Sequence, residues 1–462
     1  MKKIALLFCV SLIFNINFVN AAWLRKSKCI CFLLIFCCSQ FSIFNSVLAQ
    51  DSNKVSIKPY GFIRNYFNYD SRKTYTVIGG EYNMIPYDEK WNEDHSEDLN
   101  AVPHAQLQAL TSRFGIDVTG LKIGKWSTSA KLEGDFGGFG TTNSVLRLRL
   151  AYLKLKKENG KKKKELLVGQ EWHPLSGDIM PDVLGMAAGA PFRPHSRTPQ
   201  VRATSYWGKL GVTASLLYQL QYMNNGPKAA NDPSSVASLD YAYNAIWPEA
   251  FIGFNYKSNR LYAQFGVDAQ ILRPRTHAVI GGITKKVDET IESLTPTVCA
   301  QYLGNKLSVK FRWLLAQNTS HLNQLCGYAV TGIIDDGSWS YAPIRNYVSF
   351  LNISYGKKYR ANLFLGYVKN LGATGELHDF GTSGAPSYLI YMKGAQDFTG
   401  LNSIYRVAPS ISYNIKAFNI GLEYEWTACT YGDIATDGSI HNNDNLHQVA
   451  NHRLCAMVKY NF

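Results

Sequence analysis

From residue 54 to its end the chain alternates apolar and polar residues in segments of about ten, joined by connections of sharply unequal length. A period of two makes each segment a strand with one apolar and one polar face. The segments fall at 54–68, 111–120, 125–137, 144–156, 164–172, 199–207, 209–222, 246–257, 259–273, 291–302, 306–317, 342–356, 358–370, 402–415, 417–430 and 447–462. Links 121–124, 207–209, 257–259, 303–305, 356–358 and 415–417 are tight, 69–110, 223–245 and 371–401 are long, and 138–143 and 157–163 are intermediate. A soluble β-sandwich has no reason to gather its long loops at one end. A barrel crossing an outer membrane does, because its turns face the periplasm and its loops face outward; an even strand count returns both termini to the periplasm. The sequence therefore predicts an all-β, antiparallel transmembrane barrel of about 16 strands over residues 50–462, in the outer membrane of a Gram-negative bacterium.

Individual strands carry the pattern. In 125–137, Trp126, Thr128, Ala130, Leu132 and Phe136 share one face, and Lys125, Ser127, Ser129, Lys131, Glu133 and Asp135 the other. Leu210, Val212, Ala214, Leu216, Leu220 and Tyr222 are expected to face outward on one strand, and Phe418, Ile420, Leu422, Tyr424 and Trp426 on another. The aromatic content of 13%, led by 28 Tyr, suits girdles at the two membrane interfaces. The final strand presents Leu454, Ala456, Val458, Tyr460 and Phe462 on one face. An apolar face ending in a terminal aromatic resembles the signal read by the outer-membrane assembly machinery, which makes Phe462 the candidate assembly residue and that machinery a partner, alongside outer-membrane lipid.

Residues 1–49 read as an export segment. Lys2 and Lys3 precede an apolar run at 4–14 and a small-residue exit near Ala21 and Ala22; Arg25, Lys26 and Lys28 then precede a second run at 29–38 and an exit at Val47-Leu48-Ala49. A tandem signal and a start placed too far upstream both fit, with maturation after Ala49 or Gln50. Two transmembrane helices do not fit, because each run is too short. Five of the nine Cys lie here, leaving Cys299, Cys326, Cys429 and Cys455 at spacings that form no disulfide framework. Five of the 48 basic residues and none of the 34 acidic ones also lie in the first 50, so the formal charge falls from +14 to +9 beyond them. That excess is too modest to imply a nucleic-acid partner.

Period-two placement puts Arg113, Lys131, Arg147 and Arg149 on the lumen face of the early strands, with Arg202, Lys310 and Arg312 further round. An inward Arg must be solvated or paired, so these residues imply a wet lumen and are the candidate selectivity residues. Asp117, Glu133, Asp135, Glu171, Asp268, Glu423 and Glu425 also point inward, so a salt-bridge network is the competing reading for any single Arg. Over the first four strands Lys58, Arg64, Arg113, Lys131, Arg147 and Arg149 exceed Asp117, Glu133 and Asp135 by three charges. The segment 173–196, with Asp178, Asp182, Gly185, Gly189, Pro191, Pro194 and the small residues at 187–190, is compact enough to pack inside a tube as a constriction loop; an ordinary external loop is the alternative.

Four stretches carry a family likeness. Thr111-Ser112-Arg113-Phe114-Gly115, the pair Leu132-Glu133-Gly134-Asp135-Phe136 and Leu146-Arg147-Leu148-Arg149-Leu150-Ala151-Tyr152, then Val168-Gly169-Gln170-Glu171-Trp172 and Arg197-Thr198-Pro199-Gln200-Val201-Arg202 resemble the trimeric DcaP-like porins and their Bacteroidetes relatives over 111–206. The resemblance implies a 16-stranded homotrimeric porin, a third loop folded into the lumen and a preference for small anionic solutes. Family members carry an N-terminal coiled coil, for which a mature chain starting near Asp51 leaves no room, and this departure bears on the trimer.

Other chemistry finds little support. No spacing of Ser, His and acid singles out a catalytic set, so no enzyme is expected. Asp433, Asp437, Gly438, Asn442, Asn443 and Asp444 lack the positional pattern of a calcium loop, and His441, His447 and His452 lack metal spacing, so neither metal nor cofactor is expected. A plugged transporter of about 22 strands does not fit the strand count. The expected function is passive diffusion of small hydrophilic, preferentially anionic solutes through a water-filled pore. The alternative is an adhesin or structural barrel with a closed lumen, whose long loops 69–110 and 371–401 bind partners.

Overall fold

A computed structural model describes residues 54–138, 144–185, 189–381, 387–394, 397–440 and 445–462. Residues 1–49, where the sequence leads one to expect an export segment, Ala187 and Ala188 of the third loop, and His441, Asn442, Asn443 and Asp444 of the eighth lie outside the described residues. Sixteen antiparallel strands form one closed sheet. They are β1 (Ser56–Asp70), β2 in two pieces (His104–Gln108 and Arg113–Ile123), β3 (Trp126–Gly138), β4 (Val145–Asn159), β5 (Lys162–Trp172), β6 (Arg197–Trp207), β7 (Leu210–Leu217) and β8 (Glu249–Lys257). The circuit continues with β9 (Leu261–Leu272), β10 (Ile291–Leu303), β11 (Leu307–Gln317), β12 (Arg345–Gly356), β13 (Tyr359–Asn370), β14 (Leu401–Ile415), β15 (Phe418–Tyr431) and β16 (His447–Asn461). Each strand pairs with the next, and β1 closes on β16 from Phe62 opposite Asn461 to Asp70 opposite Arg453. Closure removes the sheet edges, whose unpaired backbone groups lipid would not satisfy.

The polarity is that of a soluble protein turned inside out. Leu107, Leu132, Leu148, Leu153, Phe254, Phe265, Leu422 and Leu454 are exposed on the outer wall, while Asp135, Arg149, Gln264, Thr297, Arg312, Glu423 and Asn451 are buried inside. Only a lipid surround makes the outer wall favourable, so this is an outer-membrane barrel. The tight turns at 124–125, 160–161, 208–209, 258–260, 304–306, 357–358 and 416–417 share one end with the start of β1 and the end of β16, and every long connection starts and finishes at the other. Gly124, Gly160 and Gly208, at φ +56, +55 and +65, supply the left-handed positions of the two-residue turns.

Three local expectations need correction. The link at 157–163 is a two-residue turn, because β4 and β5 extend to Asn159 and Lys162; the run Lys161–Lys164 carries no apolar residue to reveal the strand. The second strand begins at His104 rather than Thr111. Between the pairs Tyr66–Gln108 and Phe62–Arg113 it holds one residue more than β1 does, a bulge that resets the alternation. Ser112 Oγ accepts the Arg64 N–H at 3.0 Å, and Thr111 Oγ1 accepts the Arg64 guanidinium at 2.7 Å, which fixes the bulge. Finally, Tyr222 is buried in the lumen rather than facing outward, because β7 ends at Leu217 and the chain bends over at 221–222.

Much of the loop end is filled from within. A hairpin of the first loop (Thr74–Val77 with Tyr82–Pro86) brings Tyr82, Met84 and Ile85 against Phe192 of the third loop, Phe398 of the seventh and the wall residues Phe350 and Phe364. The four cysteines of the described chain are free and buried, so no disulfide braces the barrel.

Phe462 sits at the seam. Its backbone exchanges two hydrogen bonds of 3.0 Å with Gly61, and its ring occupies the space that a Cβ at Gly61 would need, while remaining 63% exposed on the outer wall. Deleting Phe462 is expected to lower the surface level of the protein several-fold and leave protease-sensitive chain in the periplasm, as read by surface labelling and proteolysis of intact cells. Wild-type insertion of the truncated chain would make the terminal aromatic incidental.

Candidate functional site

The described parts of the segment 173–196, residues 173–185 and 189–196, lie across the lumen. His173 opens the segment by capping the short helix Pro174–Gly177, its Nδ1 accepting the Leu175 N–H. Asp178 then accepts the Tyr262 hydroxyl of β9 at 2.8 Å. Asp182 pairs with Lys310 of β11 at 2.8 Å and with the Arg360 guanidinium of β13 at 2.7 Å, and its N–H donates to Asn352 of β12. Burial works to raise the Asp182 pKa, but the charges of Lys310 and Arg360 outweigh it and hold the carboxylate below its ordinary range. Leu184 and Gly185 donate their N–H groups to Glu423 of β15 at 2.9 and 3.0 Å, the Tyr66 hydroxyl of β1 donates to the Leu184 carbonyl, and Arg406 of β14 donates to the Ala190 carbonyl. Contacts with the inner faces of seven strands place the segment's described residues inside the tube. Its small residues are needed there: a Cβ at Gly189 would come within 2.9 Å of Pro181 and 3.0 Å of Arg193.

The basic residues anticipated on β2, β3 and β4 point inward and are paired. Arg147 binds Asp135 through Nε at 2.6 Å; Arg149 binds Glu133 at 2.8 Å and Asp135 at 2.7 Å; Arg113 lies 3.5 Å from Glu133. Three guanidiniums thus share two carboxylates. Lys131 is held by Asp117 at 2.7 Å and by the Tyr60 hydroxyl. Arg202 donates to Gln200 at 2.8 Å and to the Trp172 carbonyl, and forms no ion pair among the described residues. Arg312 is fully buried on β11, and none of its three nitrogens has a hydrogen-bond partner among the described residues.

Sequence reasoning did not single out Arg193 or Arg197 as site residues. Arg197 lies over the Trp172 ring with its guanidinium carbon 4.6 Å from the centroid, and Arg193 and Arg149 lie 5.9 Å from the same ring. Arg197 is fully buried, and none of its three nitrogens has a hydrogen-bond partner among the described residues. Arg193 donates to His195 Nδ1 at 2.8 Å, so His195 carries its proton on Nε2 and donates to the Tyr82 hydroxyl at 2.7 Å. Burial, and then the charges of Arg193, Arg197, Arg149 and Arg147, push the His195 pKa well below the ordinary imidazole value, so this ring is neutral in a strongly positive surround. Lys393 of the seventh loop adds another cation, 4.9 Å from the Tyr222 centroid, with burial pushing its pKa down to about 8. The signal was present in the alternation Arg193-Pro-His195-Ser-Arg197, which projects three basic side chains the same way.

Arg193, Arg197 and Arg312 form no ion pair with any carboxylate among the described residues, whereas Arg406 lies 3.4 Å from Glu425 and Arg453 lies 3.7 Å from Asp70. At the turn end a polar cavity of about 150 Å³ is lined by Lys154, Arg202 and Lys257 against Glu165 and Asp178. Of the described polar and histidine residues of the eighth loop and the start of β16, Asp437 closes its own turn on Ser439, His447 pairs with Asp88, and His452 bonds Tyr424. A different group, His173, Glu249 and His321, brings three metal-capable side chains together.

Among solved structures, the chain is similar to the outer membrane channel DcaP of Acinetobacter baumannii, at 16% identity over 89% of this chain and 99% of that one, with a TM-score of 0.59. A more distant likeness is to an anion-selective porin from Comamonas acidovorans, at 13% identity over 88% of this chain and 100% of that one, with a TM-score of 0.48. No protein-family model matches the sequence, and no curated protein does. The Acinetobacter likeness shows a shared barrel fold.

Proposed function

We propose that this barrel is a DcaP-like diffusion porin, active as a homotrimer, that favours small anionic hydrophilic solutes. One observation carries the reading: Arg193, Arg197 and Arg312 bring positive charge to a lumen crossed by the third loop, with no carboxylate paired to any of them among the described residues. The Arg197 and Arg312 nitrogens are closed off from solvent, so their charge acts on passing ions through its field rather than by contact. The resulting field concentrates anions and opposes cations in a narrow passage. Lys154, Arg202 and Lys257 extend it towards the periplasmic mouth. Arg113, Lys131, Arg147 and Arg149, being paired, shape the wall and orient its field; Lys310 and Arg360 hold the third loop through Asp182. The Acinetobacter barrel of the same fold is an outer-membrane channel, and the proposal extends that role to this chain.

A second reading, a closed adhesin or structural barrel, draws on the apolar packing of Tyr82, Met84, Ile85, Phe192 and Phe398 inside the loop end. Liposome swelling separates the two. Vesicles holding the purified protein are expected to swell several times faster in a small carboxylate salt than in an equally sized cationic solute. Absence of swelling in every solute would sink the porin and leave the closed barrel.

A further inference from the structure

A second cluster in the lumen is built from residues far apart in the sequence. His173 stands at the head of the third loop, Glu249 begins β8, Asp268 lies on β9 and His321 sits in the single turn Ser320–Leu322 of the sixth loop. All four are buried. His173 Nε2 lies 2.8 Å from Glu249 Oε1 and 3.9 Å from Asp268 Oδ1, and His321 Nε2 lies 3.2 Å from the same Glu249 oxygen. Asp268 Oδ1 has no hydrogen-bond partner among the described residues and points at this group.

Charge makes the arrangement informative. Two carboxylates are buried together, and no Lys or Arg among the described residues forms an ion pair with either. Their charge is offset by protons on the two imidazoles, by a proton held between the carboxyl groups, or by a bound dication. The donor set is two imidazole nitrogens and two carboxylate oxygens, the kind that suits zinc and its transition-metal neighbours rather than the all-oxygen sites of calcium and magnesium. Two ligand atoms each about 2.0 Å from a tetrahedral zinc stand roughly 3.3 Å apart. The three ligand atoms of His173, Glu249 and His321 lie within 4.8 Å of one another, so small side-chain shifts suffice.

We propose that His173, Glu249 and His321, completed by Asp268, bind one divalent transition-metal ion such as Zn²⁺. The ion clips the root of the third loop and the sixth loop to the barrel wall at β8 and β9. One bond yields on binding: a metal on His173 Nε2 moves the ring proton to Nδ1, which then no longer accepts the Leu175 N–H now held at 3.1 Å. The site is separate from the Arg197 cluster and stands whether or not the pore favours anions.

The test uses the purified, folded barrel stripped with a chelator and dialysed against Zn²⁺. Elemental analysis is expected to find one equivalent per chain, and X-ray absorption to find nitrogen and oxygen ligands that include two imidazoles. His321→Gln is expected to weaken Zn²⁺ binding at least tenfold with unchanged heat-modifiable mobility, while His95→Gln in the exposed first loop leaves it unchanged. Substoichiometric metal in the wild type, sulfur ligation from the buried cysteines, or a folded His321→Gln variant of wild-type affinity would each overturn the site. Should His321→Gln fail to fold, the ligand count on the wild type decides alone.

Discussion

Replacing Arg149 with Leu is expected to destabilise the barrel by about 3–5 kcal/mol, the cost of breaking a buried ion pair by removing one partner. Arg149 is 1% exposed and is the only group bonded to both Glu133 and Asp135 among the described residues. Its loss leaves Asp135 to Arg147, and Glu133 to the Tyr60 hydroxyl at 2.9 Å and Arg113 at 3.5 Å. Unfolding in urea, followed by loss of heat-modifiable mobility, measures the effect. Lys163→Leu is expected to cost less than about 1 kcal/mol, since its pair with Glu158 is solvent-exposed. A loss at Arg149 no larger than at Lys163 would mean that the network is solvated and carries little of the fold. Charge reversal at Arg147 and Arg149 accordingly reports on folding before it reports on selectivity.

Arg197 and Arg312 separate those two effects. Neither guanidinium bonds to any described group, so replacing both with Gln removes charge without breaking a pair. The double variant is expected to fold as the wild type does and to lose most of the anion preference, its reversal potential in a salt gradient moving towards zero. Its single-channel conductance should persist, because no obstruction is added. An unchanged reversal potential would move the selective charge elsewhere in the lumen, to the cavity lined by Lys154, Arg202 and Lys257 in the first instance.

What the sequence revealed and what it concealed follow from the range of each interaction. Strand faces were legible because a period of two is local: Leu132 and Phe136 face lipid and Lys131, Glu133 and Asp135 face the lumen, as the alternation of 125–137 indicates. The broken second strand was not, because one extra residue at 109–112 inverts the alternation on which the reading depends. Pairing partners were also hidden. Whether Arg147 is free or bonded to Asp135 depends on the register of β3 against β4, which itself shifts twice. Compact composition made 173–196 conspicuous, yet its route across the lumen is set by Glu423, Asn352 and Lys310, between 128 and 239 residues away along the chain. The cluster of His173, Glu249 and His321 joins positions 72 and 76 residues apart, so no metal-ligand spacing announces it.

The wild-type protein in a planar bilayer provides the most direct test of the proposed pore. Under a salt gradient it should show open channels whose reversal potential favours the anion at low salt. The preference should shrink as the Debye length falls from about 10 Å at 0.1 M to about 3 Å at 1 M, because the selective charges act through screened fields. Cation selectivity would contradict the assignment of Arg193, Arg197 and Arg312 as the charges that govern passage, and a bilayer that stays silent with correctly folded protein would contradict the pore itself.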